Sequence, residues 1–158
     1  MQGLSYLAFA AGYRRISFVF VEYGQLATWH TSCVAARDAG NAAQFAQDFI
    51  DLLDPNVIII EDIAAGTRKG PIAKALIEAI RNEAEQSRAQ LVALKREKLF
   101  RTRYAEALYL VKHYPELADK VPKRGYAERE PHHMVLFEAL ALAHQTAQGG
   151  ALFLATKM

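Results

Sequence analysis

The side chains best suited to chemistry are a few acids and a basic run. Glu61 closes the stretch VIIIE, directly after four β-branched residues, and Asp62 follows it. Glu138 lies within HHMVLFEALALAHQ. Carboxylates in such places can hold a pair of divalent cations for phosphodiester hydrolysis, one metal activating water and the other stabilising the leaving oxygen. Mg²⁺ takes oxygen ligands and keeps several waters, so the protein need supply only a few carboxylates. Lys95, Arg96, Lys98, Arg101 and Arg103 stand against the single acid Glu97, and a second basic group follows at Lys120, Lys123, Arg124 and Arg129. Such clusters make an electrostatic footprint for phosphates; the competing interpretation is a solvated helix face.

The elements that must position these residues are legible from periodicity. Tyr6 to Ala11, Ile16 to Val21 and Leu26 to Thr31 read as strands, with a tight turn at Gly12 and a hairpin turn over Glu22-Tyr23-Gly24-Gln25. Cys33 reads as a small strand residue. Apolar residues at Ala42, Phe45, Phe49, Ile50 and Leu53 then mark a helix, with Asn41 as its N-cap, ended by Asp54-Pro55-Asn56. NVIIIEDI, apolar on both faces, suits a central strand of a covered, partly parallel sheet. After a loop over Gly66 to Gly70, Pro71 opens a second helix that ends near Arg88. QLVAL, Gln90 to Leu94, is the fifth strand. Helices follow over Lys98 to about His113 and Pro131 to about Gln145, with a short piece near Pro115 to Leu117 between them.

This order, β-β-β-α-β-α-β-α-α, is the pattern of the ribonuclease H-like fold: an α/β protein with a five-stranded mixed sheet, three strands antiparallel, and helices on both faces. Glu61 then sits at the carboxyl end of a buried strand, where open α/β sheets place ligands. Asp62 reads as the start of a loop. Glu138 lies one helical turn after Val135, near the edge of the apolar stripe, where a lone Glu is ordinarily solvated. The first strand offers no acid: YLAFAAGYRRISFVFVE has methyl groups before its turn, and Glu22 comes a strand later.

With 158 residues the chain is sized for one domain, 1–158, able to bury about two thirds of its unfolded surface. Its apolar runs are far short of the ~20 residues that span a membrane, and no secretory signal opens it. One cysteine excludes an internal disulfide and fits a reducing compartment, so a cytoplasmic location is expected. The net charge of +2 does not by itself select a partner.

Three short motifs in this order resemble the RuvC family of Holliday-junction resolvases. The family's opening motif has the form GIDPGSRRTG, and AFAAGYRRIS, Ala8 to Ser17, lies in register with it: Gly12, Arg14 and Arg15 match, and Ala10 stands at the catalytic aspartate. The second motif is an apolar strand ending in Glu, matched by VIIIE with Glu61. The third, DAADALALAL, resembles VLFEALALAH, with Glu138 at the last aspartate and Val135 at the first acid. The likeness spans roughly Leu4 to His144.

The resemblance implies a metal-dependent endonuclease of branched DNA, acting in recombination and repair. It implies Mg²⁺ or Mn²⁺ as cofactor, held here by Glu61 and Glu138 alone, and DNA contacts from Arg14, Arg15 and the run Lys95, Arg96, Lys98, Arg101 and Arg103. It also implies a homodimer, because a four-way junction presents two symmetry-related cleavage points. With Ala10 in place of the aspartate, the expectation is cation binding and cleavage that are weak or absent. Two other functions stay open: a non-catalytic nucleic-acid-binding module, and an interaction protein that keeps only the fold.

Overall fold

The computed structural model describes residues 4–12, 14–64, 69–95, 100–121 and 133–157, with side chains as far as 147. The first three strands are β1 (Ser5–Gly12), β2 (Arg15–Glu22) and β3 (Gln25–Ser32). They form an antiparallel meander because two tight turns join runs rich in β-branched and aromatic residues. In the second turn both central residues, Tyr23 (φ 56°) and Gly24 (φ 79°), are left-handed. That conformation matches the twist of a two-residue hairpin. Arg14 is also left-handed, φ 64°, where the chain leaves β1.

Helix α1 (Ala39–Leu53) begins two residues before the expected cap. Asp38, rather than Asn41, is the N-cap, and its side chain accepts from the Asn41 backbone N–H at 2.7 Å. Cys33 lies in a bend beyond β3 and is exposed, so it is no strand residue. Strand β4 (Val57–Glu61) pairs parallel with β1, Ala8 opposite Ile59. Ser5 and Asn56 clasp the start of this pair: each backbone N–H donates to the other's side-chain oxygen, at 2.9 and 3.0 Å. Helix α2 (Pro71–Glu85) follows, three residues shorter than expected, and then β5 (Gln90–Leu94) alongside β4.

The sheet order is β3-β2-β1-β4-β5. Helix α3 (Arg103–His113) starts later than the expected Lys98, since residues 100 to 102 are bends and Thr102 is its cap. A 3₁₀ turn, Pro115–Lys120, leads on toward α4 (Met134–Lys157). Helix α4 continues well past Gln145, through Gly149 and Gly150. Glycine costs a helix only about 1 kcal/mol per residue, which does not stop it.

Alternation along the central strands divides the core in two. Tyr6, Ala8, Ala10, Val57 and Ile59 face α3 and α4, packing with Val135, Ala139 and Leu140. Leu7, Phe9, Ile58 and Ile60 face α1 and α2, packing with Phe45, Ile50, Leu76 and Ile80. Helices therefore cover both faces, as expected. No helix among the described residues is long and apolar enough to cross a membrane.

Candidate functional site

The carboxyl ends of β1 and β4 gather the acids and a cation. Ala10, third from the end of β1, is 3% exposed and pairs across to Ser17 on β2. Its methyl group points into the α4 side of the core. Glu61 ends β4, half-buried, opposite Leu94 of β5. Two-residue alternation from Val57 and Ile59 puts the Glu61 side chain on that same α4 face. Asp62 turns away into the loop: its N–H donates to the Leu94 carbonyl at 2.7 Å, and its side chain accepts from the Ala64 N–H at 3.0 Å.

Glu138 is not the solvated boundary residue that its helix pattern suggests. It is 3% exposed, and an unpaired carboxylate would not stay charged at such depth. Its counter-charge comes from a residue that the sequence did not single out. Lys69 Nζ lies 3.1 Å from Glu138 Oε2 and 3.3 Å from Oε1, and donates to the Ala11 carbonyl at 2.7 Å. The Lys69 side chain is itself only 11% exposed. Arg103 Nη2 approaches Oε1 at 3.4 Å from the more open side, 47% exposed. One ammonium thus ties together the end of β1, the segment before α2, and α4.

Lys69 stands immediately before Gly70, the N-cap of α2. A single lysine in a loop carries no periodic signal. The only clue in the sequence is indirect: an acid within an apolar helical stripe requires a cation from elsewhere in the chain.

The basic residues separate. Lys95, Arg101 and Arg14 are exposed, and the Lys95 carbonyl accepts from Gln145 Nε2 at 3.3 Å. Arg15, at the start of β2, is half-buried. Arg103, 47% exposed, also directs its Nη2 toward Glu138 at 3.4 Å. Arg96 and Lys98 lie outside the described residues, as do Lys123, Arg124 and Arg129 of the second basic group.

A second polar cluster, unforeseen in the sequence, sits between α3 and α4. His144 is buried, with Tyr114 Oη 3.0 Å from Nδ1 and Tyr109 Oη 3.4 Å from Nε2. The His113 ring lies 4.8 Å away between centroids. Burial first, and then the neighbouring His113, hold the His144 imidazole below its ordinary pKa. Burial pushes the Tyr114 hydroxyl up, with smaller contributions from Tyr109 and Glu116.

The divalent cation implied by the sequence resemblance does not fit these residues. Ala10, which that resemblance aligns with an aspartate, presents only a methyl group, and Glu138 is already paired with an ammonium. Among the described residues, no group of three or more His, Cys, Asp or Glu side chains is arranged to hold a metal ion.

No protein-family model matches the chain, and no curated protein matches it significantly by sequence. Its fold does match solved structures. RuvC of Thermus thermophilus in complex with a Holliday-junction substrate superimposes with a TM-score of 0.59, covering 94% of this chain and 96% of that one at 12% identity. The fowlpox virus Holliday junction resolvase gives a TM-score of 0.60, covering 90% of this chain and 97% of that one, also at 12% identity. A complex of that viral resolvase with its junction DNA gives 0.60 over 92% and 99%. The five-stranded mixed sheet with its flanking helices is the fold of these resolvases, retained at very low sequence identity.

Proposed function

We propose that this chain binds branched DNA on a resolvase fold and that its metal-dependent strand cleavage is weak or absent. The binding half rests on near-complete fold likeness to two resolvases whose structures include Holliday-junction DNA. The loss of chemistry rests on one observation, the Lys69 ammonium bridging the end of β1 and Glu138 beside the methyl of Ala10. Exposed Lys95, Arg101 and Arg14 supply phosphate contacts, and Arg103 adds the part of its charge that faces solvent. The protein acts as one domain over 1–158, as a homodimer matched to the two-fold symmetry of a four-way junction, in the cytoplasm.

A second function, a nuclease retaining some activity, is favoured by one arrangement: Glu61 ends β4, and Glu138 is a buried residue of α4, the helix that packs on the face of the sheet toward which strand alternation turns Glu61. Both readings are decided by the same measurements. Fluorescence anisotropy should show a four-way junction bound more tightly than linear duplex. Affinity should fall with salt at a slope of about −0.9 per phosphate neutralised. Lys95→Glu with Arg101→Glu should weaken binding about equally at all sequences. Equal affinity for junction and duplex would remove the branched-DNA function. Robust Mg²⁺- or Mn²⁺-dependent nicking of the junction, abolished by Glu61→Gln, would show a working nuclease and overturn the loss of chemistry.

A further inference from the structure

We infer that the Lys69 ammonium is a built-in replacement for a divalent cation, so that two positions, 10 and 69, together keep metal out of this site. The inference deepens the proposed loss of cleavage and rests on it. An ammonium offers three N–H donors, and among the described residues Lys69 Nζ meets the Ala11 carbonyl at 2.7 Å and the two Glu138 oxygens at 3.1 and 3.3 Å. A resident Mg²⁺ would demand Glu138 oxygens at about 2.0–2.1 Å and would share them with that ammonium. Two like charges on one buried carboxylate repel, and the intramolecular one is always present at full local concentration.

Burial fixes the competition further. Glu138 is 3% exposed and Lys69 11%, so neither partner regains much water if the pair opens. Lys69 is fixed at two points: its backbone runs directly into Gly70, the N-cap of α2, and its Nζ donates a hydrogen bond to the Ala11 carbonyl. An aspartate placed at position 10 would arrive on the α4 face of β1, one residue from that carbonyl. There it would meet a cation already in place and form an ion pair with it instead of recruiting a metal. Restoring the acid alone therefore does not restore a metal site; removing the ammonium as well does.

The test is Mn²⁺ binding in the absence of DNA, measured by calorimetry and by the loss of the free-ion electron paramagnetic resonance signal. It uses the full chain with Ala10→Asp, Lys69→Gln, both together, and Ala10→Asp with Lys69→Arg. The double variant Ala10→Asp/Lys69→Gln should bind Mn²⁺ at least tenfold more tightly than Ala10→Asp alone, and the Lys69→Arg combination should show no such gain. A gain below tenfold, or an equal gain with arginine, overturns the inference. If circular dichroism shows the Ala10→Asp chains unfolded, the decision passes to Lys69→Gln against the parent chain. Two carboxylates without the aspartate make only a weak site, so millimolar Mn²⁺ should then raise the melting midpoint of Lys69→Gln slightly and leave the parent unchanged; an equal response in both sinks the idea. Junction binding is not read in this experiment, so its failure leaves the DNA-binding proposal standing, and the reverse holds.

Discussion

Replacing Lys69 with methionine removes the charge while keeping a flexible apolar stem of similar length. Breaking a buried ion pair by deleting one partner costs about 3–5 kcal/mol, because the other charge is left stranded. Here the group that loses its ammonium is Glu138, 3% exposed. Arg103 remains at 3.4 Å, but at 47% exposure its help is screened and worth at most about 1 kcal/mol. The expected loss is therefore about 3 kcal/mol, which for a chain of this size lowers the melting midpoint by about 6–12 °C. Urea titrations of Lys69→Met, Glu138→Met and the double variant would measure it as a cycle. The double variant, which buries two apolar side chains in place of the pair, should lie within about 1 kcal/mol of the parent. A Lys69→Met chain destabilised by less than about 1 kcal/mol would refute the reasoning. So would a double variant whose cost equals the two single costs added.

Asp38→Ala should cost about 1 kcal/mol by removing the cap of α1, whereas Asn41→Ala should be nearly silent; thermal melts of the two distinguish the caps. Phe18→Ala should cost about 3–5 kcal/mol in denaturant titrations, because its ring packs between Phe9 and Phe49 at centroid distances of 6.2 and 4.5 Å. Burial, and then the neighbouring His113, lower the pKa of His144 in the fold below its unfolded value of about 6.5. The unfolded chain thus takes up the proton first as pH falls. Stability should be constant above pH ~6.5 on this account and should decline below it until the folded pKa is reached. His144→Gln should flatten that decline in midpoints measured from pH 7.5 to 5, and an unchanged slope would assign it to other groups.

Much of this architecture could be read from the chain before its structure was known. The runs ISFVFV and VIIIE are strand-forming by composition, and the change of period after residue 40 separates meander from αβ units. The position of Glu61 followed from the same logic, since an acid that ends an all-apolar strand lies at that strand's carboxyl end by construction. The local starts were harder. Ala39 and Gly40 precede the apolar stripe of α1 and are weak pattern markers, so the true cap at Asp38 went unseen. Thr102, the cap of α3, was hidden by the basic run around it. The partner of Glu138 was illegible for a different reason. Periodicity shows which way a helical residue points but not what stands opposite, and Lys69 reaches it across 69 positions of sequence. Tyr109, Tyr114 and His144 are likewise joined only by the packing of α3 on α4.

The strand order β3-β2-β1-β4-β5 also sets when, during folding, this site comes into existence. The meander closes through two tight turns, so its loop-closure entropy is small and it can form early. The clasp between Ser5 and Asn56, which brings β4 beside β1, spans 51 positions, and the Lys69–Glu138 contact spans 69. Contacts of such separation repay their entropy only after the intervening chain is ordered. The ion pair is thus a late event, and a nascent chain that has not yet delivered α4 carries Lys69 with no Glu138 to receive it. Pulse-labelled hydrogen exchange should find β1–β2 amides protected before those of α4. A copy that holds the Lys69–Glu138 contact has therefore already paired its central strands.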